Sequence, residues 1–210
     1  MHALRTATAL LLPSILCAAL IVPACAGARA SGPAPETGVA REVAHFTRIE
    51  ASGPIDLRVE LGGSLAVTVE AGAELVTEVT GGTLRLWFPE GASSGRMAAV
   101  QVSAPHIDAL ACSKGASARL EGLEGGRIEL ALEGAGSIRA TGSVEHLAAR
   151  IDGSGALDLE GLPAREANVV VRGSGRAQLS VSGALDAEVE GNGSVVYRGD
   201  PIVWAGGSGA

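Results

Sequence analysis

Residues 130–160 read LALEGAGSIRATGSVEHLAARIDGSGALDLE. Two Gly-x-Gly corners sit in this stretch, Gly134-Ala135-Gly136 and Gly153-Ser154-Gly155. Apolar side chains occupy alternate positions on both sides of each corner: Leu130, Leu132, Ile138 and Ala140, then Leu147, Ala149, Ile151, Leu157 and Leu159. The positions between them are mostly polar, such as Glu133, Arg139, Arg150, Asp152 and Asp158. A period of two marks strands with one buried face. Glycine suits the corner because a sharp turn often demands a positive φ, which residues with a Cβ resist.

Outward from this stretch the pattern repeats. Gly173-Ser174-Gly175 and Gly191-Asn192-Gly193 are further corners, and Ser113-Lys114-Gly115 is an imperfect earlier copy. The second glycines fall at 115, 136, 155, 175 and 193, spaced by 21, 19, 20 and 18. The flanks align into columns: Leu132, Ile151, Val171 and Val189 before the corner, and Ile138, Leu157, Ala177 and Val195 after it. A second bend follows in each repeat at Gly142, Gly161, Gly183 or Gly199. No repeat carries a helix-period stripe. A repeat of this length matches one coil of a β-solenoid, in which coils stack at about 4.8 Å and equivalent residues form ladders. After Gly115, Ala118 and Leu120 fall one position out of step, so a bulge or a register change is expected there.

Residues 43–105 alternate as well but lie off the repeat. Ile55–Val59, Leu65–Val69 and Leu84–Phe88 read as strands, with turns at Gly62-Gly63 and Gly81-Gly82. The expected class is all-β: a parallel β-helix or β-solenoid with about 20 residues per coil over 106–210, and a β-rich capping region over 43–105 that hides one edge. Only five residues are aromatic (Phe46, Trp87, Phe88, Tyr197 and Trp204) while 30 are glycine, which suits a narrow core.

Residues 1–30 contain no acid; Arg5 precedes an apolar run from Ala7 to Val22. That run is short for a spanning helix, which needs about 20 residues, and reads as a secretory signal peptide. Two processing readings stand. Ala28-Arg29-Ala30 offers cleavage before Ser31, whereas Val22-Pro23-Ala24-Cys25 resembles a lipobox, with the leader ending at 24 and Cys25 lipidated. The first predicts a soluble exported protein, the second an anchored one, and the destination is periplasm, outer membrane or cell surface. Residues 31–42, rich in Pro and Gly, read as a linker. Residues 31–210 hold 14 basic and 23 acidic residues, a net charge of −9. That charge and the scarcity of rings argue against nucleic acid as a partner. Lys114 is the only lysine. Cys17 and Cys25 lie in the leader, so Cys112 has no internal disulfide partner and reads as a small buried hydrophobe.

The serial corners, Phe46-x-x-Ile49, the Gly53-x-Ile55-x-Leu57 strand and the terminal Tyr197-Arg198-Gly199-Asp200-Pro201 together resemble the head GIN domain. That family is described as an autotransporter-adhesin domain of exported bacterial proteins. The resemblance covers about residues 43–210 and implies a right-handed β-helix-like fold. It brings no catalytic residues.

Several chemical motifs can be set aside. Gly91-Ala92-Ser93-Ser94-Gly95 matches a nucleophile elbow, but a strand follows where a helix is required. Asp158 falls where a calcium β-roll would place a carboxylate, yet its equivalents are Arg139, Gln178 and Val196, so no carboxylate ladder forms. His45, His106 and His146 lack metal-ligand spacing, and no cofactor or metal is expected. Two features remain. Trp87 and Arg85 share one strand face, where the ring either stacks on a sugar or packs under a neighbouring segment. Asp152, Asp158 and Glu160 flank one corner, as in a polysaccharide-cleaving β-helix or on the polar outside of any solenoid. The expected function is a non-enzymatic envelope or surface binding module whose ligand is a glycan or surface polymer. A polysaccharide-acting enzyme and a structural protein that self-assembles through its coil ends are the alternatives. Trp204, past the last full coil, reads as a cap or part of such an end-to-end contact.

Overall fold

The computed structural model describes residues 38–70, 74–90 and 97–208. The leader, Cys25, the first part of the linker and residues 91–95 of the elbow-like motif lie outside these residues. The first seven strands are β1 (Gly38–Arg41), β2 (Arg48–Ser52), β3 (Ile55–Leu61), β4 (Ala66–Glu70), β5 (Val76–Thr80), β6 (Thr83–Trp87) and β7 (Ala98–Ala104). The rest are β8 (Ala109–Ser113), β9 (Ser117–Gly134), β10 (Ser137–Gly153), β11 (Ala156–Gly173), β12 (Arg176–Gly191), β13 (Ser194–Arg198) and β14 (Ile202–Ser208).

From β8 onward the chain is a β-solenoid of parallel coils, with about 20 residues in each and about five turns in all. The columns expected from the sequence are the observed ladder. Leu132 pairs with Ile151, Ile151 with Val171, and Val171 with Val189. Beyond the corner, Ile138 pairs with Leu157, Leu157 with Ala177, and Ala177 with Val195. The corners also bond from coil to coil, as when the Ser174 amide donates to the Gly153 carbonyl at 2.9 Å. Each corner glycine lies on the one below it. A Cβ on Gly173, whose φ is +105°, would come within 2.6 Å of the Gly153 carbonyl oxygen.

One register expectation needs correcting. Cys112 pairs with Leu132 and Ala118 with Ile138, so the offset between these coils is 20 on both sides of the corner. Ala118 and Leu120 are in step and no bulge separates them from the corner. The counterpart of Gly134-Ala135-Gly136 is Lys114-Gly115-Ala116, shifted by one from the alignment on Gly115. The register of buried apolar residues decides stacking, because a slip by one would turn every side chain to the other face.

The N-terminal half does more than cap. β2 pairs in parallel with both β6 and β8, and β3 with both β7 and β9. These strands are coils themselves, stacked out of chain order: β2–β3 lies between β6–β7 and β8–β9. The cap proper is β1, β4 and β5, which run antiparallel on β4, β7 and β6 respectively. β5 and β6 are joined by Gly81-Gly82, with φ of +59° and +75°, as a tight hairpin with matching twist requires. Residues 38–41, the end of the stretch read as a linker, thus pair as a strand. At the opposite end, among the described residues, β13 and β14 pair only with β12.

One apolar cluster runs through cap and coils, from Phe46 to Ala187. Among the described residues no charged or polar residue is buried. Each fully buried Leu, Ile or Val stabilises the fold by roughly 1.5–3 kcal/mol relative to exposure. Phe46 is the only aromatic residue in the fully buried set.

Candidate functional site

With no charged or polar residue in the core among the described residues, the polar chemistry lies on the outer faces. These carry ion pairs between coils, such as Arg139–Asp158 at 2.6 Å and Arg172–Glu190 at 2.8 Å. Pairs this exposed contribute about 0–1 kcal/mol each. Asp158 and Glu160 belong to this set, while Asp152 is paired within its own strand. Asp152 is held by Arg150 at 2.5 Å, Asp158 by Arg139, and Glu160 by Arg198 at 3.2 Å. None of the three lines the surface hollows described below.

Arg85 and Trp87 are brought together. They alternate with buried Leu84 and Leu86 on β6, which turns both outward. Arg85 is half-exposed and bonded to Glu50 of the neighbouring coil at 3.0 Å. Trp87 is half-buried, in register with Val76 on one side and Ser52 on the other. The two residues line an open hollow of about 510 Å³ together with Glu78, Phe88, Gly53 and Lys114. It combines an apolar surface, two cations and an acid.

Lys114 is a residue that sequence reasoning missed as part of a site, and its backbone sets it apart. Its φ is +53°, and among the described residues it is the only non-glycine with positive φ. The equivalent corner positions hold Gly53, Gly134, Gly153, Gly173 and Gly191, with φ from +92° to +130°. A left-handed conformation costs a residue with a Cβ roughly 1–2 kcal/mol. Strain of this kind concentrates at functional sites. The available signal in the sequence is a lone lysine at a glycine position of the repeat. Lys114→Gly is expected to raise stability by about 1 kcal/mol, the relief of strain less the added chain entropy of glycine. Urea denaturation measures this; an unchanged or lower midpoint would show that the backbone there is not strained.

His45 is exposed. His106 bonds Asp108 at 2.7 Å, and that hydrogen bond holds the Asp108 carboxyl below its ordinary value. His146 lies 3.1 Å from Glu166. Among the described residues no three His, Cys, Asp or Glu gather as metal ligands. Cys112 is buried, and burial pushes its thiol up to about 12, which keeps it protonated and inert. Trp204 does not close the coil end. It stands in register over Asp186 on the outer face of β14 and is 57% exposed.

The model of a family described as "Putative auto-transporter adhesin, head GIN domain" matches residues 45–201. Among solved structures, a "putative adhesin" from Bacteroides fragilis superposes with a TM-score of 0.67 at 16% identity, covering 83% of this chain and 94% of its own. A "putative lipid binding protein" from Parabacteroides distasonis gives 0.49 at 20% identity, with 83% and 94% covered. No curated protein matches the chain in sequence. With the Bacteroides protein the likeness is one of fold. The family match spans both the out-of-order N-terminal coils and the Gly-x-Gly ladder, and the chain belongs to this head GIN domain family.

Proposed function

We propose that this protein is an exported, non-enzymatic binding module of the adhesin type, which holds a glycan or surface polymer at the Arg85–Trp87 hollow. The observation that carries this reading is Lys114, a strained residue in a ladder of glycines, on the same hollow as the half-buried Trp87 ring. A ring packs against the C–H face of a sugar, and the flanking charges bond its hydroxyls. The apolar leader supports export, with Cys25 as a lipid anchor or Ser31 as a free N-terminus. The edge of β13 and β14, which pairs with no further strand among the described residues, favours a second reading, in which copies of the chain associate end to end.

The test is retention of the protein on a panel of bacterial and host polysaccharides, with sizing of the polymers afterwards. Binding without shortening is expected. Trp87→Ala should weaken it at least tenfold, as loss of a central aromatic anchor does at other interfaces. Shortened polymers would overturn the non-enzymatic reading.

A further inference from the structure

The outer wall that carries Trp87 continues to β14, where a second hollow of about 260 Å³ opens beside Trp204. Its width comes from small residues: Ala148 and Ala184 line it between longer side chains. Two polar pairs border it. Nδ1 of His146 lies 3.1 Å from Glu166, whose other carboxylate oxygen takes Arg165 at 2.5 Å. Nδ2 of Asn168 donates to Asp186 at 3.2 Å. That second bond uses one amide nitrogen and one carboxylate oxygen. The Asn168 carbonyl and the other Asp186 oxygen therefore stay available to a ligand. Both pairs join adjacent coils of a rigid parallel sheet, so their orientation is set before a ligand arrives.

We infer that this hollow is a binding site for one neutral pyranose unit of a glycan, an inference that rests on the glycan-binding reading above. The Trp204 ring offers a flat apolar face to the sugar's C–H face. Asn168, Asp186, Glu166 and His146 meet the ring of hydroxyls with planar donors and acceptors. The volume falls just below the roughly 300–1,000 Å³ of sites for drug-sized ligands, which fits a single sugar unit. Glu166 and Asp186 outweigh Arg127 at the rim, since Arg165 is already bonded to Glu166, and this disfavours uronic and sialic acids.

The protein has two tryptophans, so Trp87→Phe leaves Trp204 as the sole indole reporter and Trp204→Phe leaves Trp87. Each variant of the full chain is titrated with oligosaccharides of glucose, galactose, mannose and N-acetylglucosamine, and with sialic and glucuronic acid. A saturable shift of Trp204 emission with at least one neutral sugar is expected. Asn168→Ala should weaken that response at least tenfold with an unchanged thermal midpoint. If polysaccharides retain the unaltered protein but Trp204 responds to no neutral sugar, this site is overturned while the glycan-binding reading stands. A Trp204 shift driven only by protein concentration, with a doubled mass, overturns it in favour of a contact between copies. Absence of any glycan binding by the unaltered protein overturns both.

Discussion

Gly173→Ala is expected to destabilise the protein by on the order of 3–5 kcal/mol. Two effects add. At φ of +105° the backbone lies in a region that residues with a Cβ rarely adopt, which costs about 1–3 kcal/mol. The new methyl also meets the Gly153 carbonyl oxygen at 2.6 Å. That oxygen accepts a bond from the Ser174 amide, so neither coil can move aside without breaking the corner. Gly126→Ala is the control. Nothing lies within 4 Å of its Cβ position, so a change within about 0.5 kcal/mol is expected. Equal urea midpoints for the two variants would show that the glycine ladder is not a packing requirement.

Phe46→Ala should cost about 3–5 kcal/mol, the range for emptying a buried aromatic site. Phe46 is fully buried at the head of β2, the strand that stacks between β6 and β8. Nearby, the Thr47 carbonyl accepts a bond from the Asp108 amide, tying β2 to the coil that follows it in space. Most of the core is Leu, Ile, Val and Ala, so no neighbouring aromatic ring can swing in to fill the gap. A loss below about 1 kcal/mol by denaturant titration would mean that the site collapses freely.

The all-β class, the coil length and the main ladders were legible in the sequence itself. Each follows from local patterns: alternation of period two, and glycine corners that recur about every 20 residues. Val171 lies on Ile151 because both occupy the same place in repeats of nearly equal length. Arg85 and Trp87 could be placed on one face for the same reason.

The order of the N-terminal coils was decided only by the tertiary structure. Alternation says which face of β2 and β3 is buried but not which strands they pair with. Their insertion between β6–β7 and β8–β9 depends on pairing across long stretches of chain. The register at Lys114 was hidden for a related reason. Glycine spacing suggested an offset of 21, whereas the stacked apolar side chains hold it at 20 and leave a lysine where the other corners have glycine. The hollows at Trp87 and Trp204 likewise join residues from several coils. Sequence pattern determined what each coil buries, because burial follows the two-residue period of a strand. Tertiary structure decided what each coil presents, because neighbours on the outer wall are set by stacking order.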